Sequence, residues 1–133
     1  MEEIAIRVET EINPTETEEK VKRALSNIFG NVSTETKQSY KGSILKAEAK
    51  GQEALVKLRN LLRTDRIRNA ARKAFFEGMR EKTISFCLNK QVAFAGHVSF
   101  SEEVAESPLG PIRVTVECEN PRELVDWLAP RTA

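Results

Sequence analysis

The sequence predicts an α+β protein: a mostly antiparallel sheet with helices packed on one side. Three observations predict it. Apolar residues alternate with polar ones near both ends, as in Ile4, Ile6 and Val8 and again in Ile112, Val114, Val116 and Cys118, the period of a strand with one buried face. Elsewhere they recur at spacings of three and four, as in Val21, Ala24, Leu25, Ile28 and Phe29, the period of a helix face. The strand-like stretches come in neighbouring pairs, without steady strand–helix alternation, which favours hairpins over a parallel sheet. The predicted order is β-α-β-β-α-α-β-β-β-α. With 133 residues, 40% hydrophobic and 31% charged, the chain can bury an ordinary core, and residues 1–133 are read as one domain.

The first strand ends near Ile12, where Asn13-Pro14-Thr15 breaks it and can start a helix. Glu16, Glu18 and Glu19 sit in the first turn, favoured by the positive end of the helix dipole. Gly30 can stop that helix. Val32 to Ser39 is polar and rich in Ser and Thr, an exposed or edge strand. Tyr40-Lys41-Gly42-Ser43 is turn-like, and Ile44 to Lys50 forms the second strand of the hairpin, although AEAK is also compatible with helix. After Gly51, Leu55, Leu58, Leu61 and Leu62 mark an amphipathic helix. Thr64 can cap a further helix whose apolar face is Ile67, Ala70, Ala71, Ala74, Phe75 and Met79. Residues 83–100 read as two strands joined by a tight turn at Asn89-Lys90, since Asn tolerates unusual backbone angles. Ser107-Pro108-Leu109-Gly110-Pro111 is a rigid connection to the last strand. Asn120 and Pro121 suit the cap and first position of a closing helix, and Leu124, Val125, Trp127 and Leu128 pack it down.

The net charge of +1 hides segregation. Residues 57–82 carry nine basic and three acidic side chains, whereas residues 1–35 and 101–133 are acidic. A local positive field can attract a polyanion whatever the total charge, although a charge run is also what a solvated helix face looks like. Arg63, Arg66, Arg68, Arg72 and Lys73 place five cations within eleven residues. Arginine predominates, and its planar fork suits phosphate. At about 100° per residue, Phe76 falls on the polar face among these cations. There it can stack on an unpaired base or pack under a loop or dimer contact. Lys90 and Gln91, at the expected hairpin tip, offer one charge and one amide to phosphates or base edges. Turn chemistry alone also accounts for them.

Enzyme constellations are poor. No GxSxG elbow, phosphate loop or HExxH occurs, His97 is the single histidine, and no metal or cofactor site is read. Cys87 and Cys118 lie in strand-like stretches without a CxxC partner, and read as reduced, buried small hydrophobes. No apolar run reaches a membrane span and the start MEEIAIRVE is not a secretory signal, so the expected location is the cytoplasm, away from membranes.

Four segments carry a resemblance: TDRIRNAARKAF (64–75), ISFCLNKQVAFAGHVSF (84–100), SPLGPIRV (107–114) and DWLAPRT (126–132). Together with the IRVETEINPTE start they resemble an archaeal family of small proteins described as predicted RNA-binding, exosome-associated subunits. The resemblance spans essentially the whole chain. It implies a fold similar to that of the large-subunit ribosomal protein that contacts 5S RNA, a cytoplasmic setting, no cofactor and a non-enzymatic role. The family's Arg-Ile-x-x-Ala-Ala-Arg pattern matches Arg66, Ile67, Ala70, Ala71 and Arg72, with Asn69 where an acid often stands. Its Leu-Asn-Lys-Gln matches Leu88, Asn89, Lys90 and Gln91. The leading expectation is an RNA-binding accessory protein, possible partners being RNA and RNA-processing proteins. The alternative is a non-enzymatic adaptor or a homodimer built by pairing of the polar strand at 32–39.

Overall fold

The structure is a computed structural model and describes residues 3–30, 32–39, 42–101 and 110–131. Its elements are β1 (Ala5–Ile12), α1 (Glu18–Phe29), β2 (Ser33–Ser39), β3 (Gly42–Lys50), a 3-10 turn at Gln52–Leu55, α2 (Val56–Thr64), α3 (Arg68–Glu77), β4 (Met79–Arg80), β5 (Thr83–Asn89), α4 (Lys90–Phe94), β6 (Phe100–Ser101), β7 (Pro111–Glu117) and α5 (Pro121–Leu128). The strands form one antiparallel sheet in the order β2-β3-β1-β7-β5-β4, with β6 also paired to β5. The α+β class read from the sequence is the class observed.

Period-two patterning decides which face of the sheet is buried. Ile6, Val8 and Ile12 of β1, Leu45 and Ala47 of β3, Ile112, Val114 and Val116 of β7, and Ile84, Phe86 and Leu88 of β5 are all buried. They meet Val21, Leu25 and Ile28 of α1, Leu58 and Leu62 of α2, Phe75 of α3, and Leu124, Val125 and Leu128 of α5 in one continuous core. Each large aliphatic or aromatic side chain so buried contributes about 1.5–3 kcal/mol. Thr10 is the one polar member of β1 on this face, and its hydroxyl donates to the Pro111 carbonyl at 3.1 Å, so its burial leaves no bond unmade.

Helix ends follow local chemistry. Thr17 caps α1 by accepting from the Lys20 N–H, with Glu18 and Glu19 in the first turn. Glu16 therefore precedes the helix. Asn120 caps α5 by accepting from the Glu123 N–H, with Pro121 in the first turn. At the end of α3, Gly78 approaches β5 so closely that a Cβ there would lie 1.7 Å from the Ser85 carbonyl oxygen. Phe75, one turn earlier, packs edge-on against Phe86 and Phe100, with ring centroids 4.9 and 5.5 Å away.

Four local expectations need correction. Thr64 does not cap a second helix: it is the last residue of α2, and α3 opens at Arg68 without a side-chain cap. Arg66, at φ +57°, turns the chain between the two helices. Met79 belongs to β4 and not to the α3 face. The corner at Asn89-Lys90 is not a hairpin turn. Asn89 instead caps α4 by accepting from the Val92 N–H at 3.0 Å, and the returning strand is reduced to Phe100–Ser101. The AEAK segment is strand, the last part of β3. Tyr40-Lys41 and Ser107-Pro108-Leu109 lie outside the described residues.

Neither cysteine forms a disulfide among the described residues. Cys118 is buried, whereas Cys87 is only half-buried and lies opposite Arg113 on the sheet's other face.

Candidate nucleic-acid interface

Basic side chains are distributed unequally over the two sides of the molecule. On the uncovered sheet face the cross-strand register sets opposite signs side by side. Glu35 lies opposite Lys46, Lys46 opposite Glu9, and Glu9 opposite Arg113; on a neighbouring row Glu48 lies opposite Arg7. Arg7 also holds Glu117 at 2.5 Å. Neighbouring opposite charges on a sheet cancel one another's field and stabilise the pairing modestly.

The helical side differs at the junction of α2 and α3. Burial of Leu58 and Leu62 turns the next helical row, Arg59 and Arg63, toward the surface. Arg59, Arg63 and Arg68 then rim one narrow cleft with Leu128 and Pro130. Arg63, Arg66 and Lys73 are exposed and Arg68 is half-buried. None of these four is paired with a carboxylate among the described residues. Three arginines line one cleft, at least two of them without a carboxylate partner among the described residues, and the guanidinium fork is a group suited to phosphate.

Arg72 is placed otherwise. Its side chain is 11% exposed and pairs with Asp126 at 2.9 Å, and the same nitrogen donates to the Ala129 carbonyl at 2.8 Å. Arg59 donates from Nε to the Trp127 carbonyl at 2.9 Å and lies 5.2 Å from the Trp127 ring centroid. These two arginines thus satisfy carbonyls at the end of α5, where a helix leaves acceptors without internal partners. Arg59 escaped the sequence reading, although its spacing of four from Arg63 was available as a signal.

Phe76 is 37% exposed on the polar side of α3, as the helix period predicts. The Arg72 and Arg122 guanidinium groups lie 5.2 and 5.9 Å from its ring centroid. Such contacts are worth about 0.5–1 kcal/mol at exposed sites.

Lys90 and Gln91 do not join this group. Lys90 is 4% exposed, and its ammonium donates to the Glu11 carbonyl at 2.6 Å and to Glu16 Oε1 at 3.0 Å. It ties the end of β1 to α4 and is absent from the surface. Burial pushes the Glu16 carboxyl up, but bonds from the Asn13 backbone and side chain, with the bond and charge of Lys90, outweigh it and hold the group below its ordinary value. Gln91 is exposed beside Phe94 and Lys20, at an open cavity of about 240 Å³ between α1 and α4.

A family model described as RNA binding matches residues 5–118. A UPF0201 protein of Pyrobaculum arsenaticum is 45% identical over 128 residues, 96% of this chain and 90% of the relative. Another, from Saccharolobus islandicus, is 42% identical over 130 residues, 98% of this chain and 90% of the relative. The crystal structure of a UPF0201 protein from Methanococcus jannaschii superposes with a TM-score of 0.87 at 29% identity, covering 97% of this chain and 95% of that one. Among the described residues no helix is long and apolar enough to cross a membrane.

Proposed function

The chain belongs to the UPF0201 family and to the family whose model is described as RNA binding, and on that premise we propose that it binds RNA phosphates through the junction of α2 and α3. Arg63, Arg66 and Arg68 supply the grip and Lys73 extends it along α3. Phe76, flanked by Arg72 and Arg122, offers an unpaired base a face to stack on. The observation that carries this reading is the cleft rimmed by Arg59, Arg63 and Arg68, with no carboxylate paired to the latter two among the described residues. In this reading the role is non-enzymatic and belongs to RNA processing, as an accessory to an exosome-type assembly. The expected likeness to the ribosomal protein that contacts 5S RNA is part of the same proposal.

Fluorescence anisotropy with a labelled single-stranded RNA, read at two salt concentrations, tests it. Log K should fall with log[salt] by about 0.7 per neutralised phosphate. Arg63→Ala/Arg68→Ala should weaken binding and flatten that slope by about 1.4. Lys46→Ala/Lys50→Ala, on the sheet face, should change neither. A wild-type protein without RNA affinity at low salt, or equal losses in both pairs, overturns the proposal. The adaptor alternative retains one specific support: Arg72, a residue of the predicted basic set, is already matched by the chain's own Asp126.

A further inference from the structure

The two edges of the sheet are finished differently. Beyond β5, the edge is occupied by two short strands, β4 against Thr83 and Ile84 and β6 against Cys87 and Leu88. Short strands of this kind discourage further pairing. At the opposite edge β2 runs for seven residues, pairs only with β3 among the described residues, and keeps an unbroken register from Ser33↔Glu48 to Ser39↔Gly42. It has no proline and no bulge, so nothing in its backbone blocks another strand.

The direction of its free groups follows from that register. Ser39 pairs with Gly42, leaving two residues between the strands. In a hairpin of that length the pair beside the turn exchanges both hydrogen bonds. Counting back by twos, Lys37, Glu35 and Ser33 direct their N–H and C=O toward β3. Gln38, Thr36 and Thr34 direct theirs outward, to the open edge.

We propose that this edge pairs with the same edge of a second copy of the chain, antiparallel about a twofold axis at Thr36, so that one sheet runs through both. Charge selects the axis. Centred on Thr36, Glu35 of each copy lies opposite Lys37 of the other, twice by symmetry. Centring on residue 35 sets glutamate against glutamate, and centring on residue 37 sets lysine against lysine. Centring on residue 34 matches neither charge, and centring on residue 38 overlaps only residues 37–39 of the two strands. The Thr36 axis also gives the backbone its hydrogen-bonded pair there. Glu35 and Lys37 then fall at non-hydrogen-bonded positions, where facing side chains come closest. Both are exposed, and neither is ion-paired among the described residues. On the helix side, the Thr36 hydroxyl donates to Glu18, which fixes that side chain away from the axis.

Strand pairing alone covers less than the ~1,600 Å² of a standard interface, so the dimer is weak, dissociating on the order of micromolar to hundreds of micromolar. Sedimentation equilibrium without nucleic acid reads it independently of any RNA binding. Glu35→Lys alone and Lys37→Glu alone each set like charges together at both contacts and should weaken association roughly ten- to a hundred-fold. Mixing the two single variants should restore association, because one chain is then positive at both positions and the other negative at both. The double variant Glu35→Lys/Lys37→Glu should dimerise like wild type, and circular dichroism should show all variants folded. A wild type that stays monomeric up to several hundred micromolar overturns the proposal. So does a dimer indifferent to the single reversals, which would use another surface, or single variants that fail to associate when mixed.

Discussion

Replacing Lys90 by Met tests the buried contact that joins β1 to α4. Methionine keeps most of the apolar stem and removes the ammonium. Glu16, 12% exposed, then loses its cation but keeps the Asn13 N–H at 3.0 Å and the Asn13 amide at 2.8 Å. The Glu11 carbonyl loses a donor at 2.6 Å. Removing one partner of a buried pair costs about 3–5 kcal/mol. The surviving Asn13 bonds and the edge of solvent at Glu16 reduce that, so we expect a loss of about 2–4 kcal/mol, or roughly 10 °C in Tm for a chain of this size. Urea unfolding at neutral pH should show a lower midpoint at an unchanged slope. In a double-mutant cycle with Glu16→Gln the losses should fall short of additive by about 1–3 kcal/mol. The pH dependence has a definite sign. Glu16 is held below its ordinary carboxylate value in the folded state, so the contact stabilises fully above the unfolded pKa. That contribution is lost as pH falls through the folded one, so the gap between wild type and Lys90→Met should narrow in acid. A variant within about 0.5 kcal/mol of wild type at neutral pH, or a gap that widens in acid, would refute the reasoning.

Two further substitutions probe the helical side. Gly78→Ala places a methyl 1.7 Å from the Ser85 carbonyl oxygen, a backbone atom that cannot step aside. Calorimetry should show a loss of more than about 2 kcal/mol, and an unchanged Tm would mean that α3 and β5 are less tightly apposed than described. Arg72→Ala removes the Asp126 pair and the bond to Ala129 and should cost about 1–3 kcal/mol. Arg63→Ala should stay within about 0.5 kcal/mol. Equal effects would mean that the two arginines are not divided between holding the fold and facing solvent.

Strands β1 and β7 and helices α1 and α5 were legible because one side of each is buried, which prints a period on the sequence. Helix α4 was not: five residues are too few to show a period, and asparagine suits a turn as well as a cap. The burial of Lys90 was beyond reach for a different reason. Its partner Glu16 lies 74 residues away, and only the packing of α4 against α1 brings the two together. The break before α3 was equally silent, since an arginine at positive φ carries no mark where glycine would have done. Among the basic residues, the sequence supplied the exposed cations but could not separate Arg63 and Arg68 from Arg72, because that division depends on where α5 lands.

The seating of α5 also bears on where the protein can be cut. The matched family region stops at residue 118, before this helix begins. Yet Leu124, Val125 and Leu128 fill the core, and Arg59 and Arg72 reach across to its last carbonyls. A fragment trimmed to the matched region would bare that apolar patch and leave two guanidinium groups without their acceptors. The boundary of that matched region and the boundary of cohesion part company here, and the final helix belongs with the body.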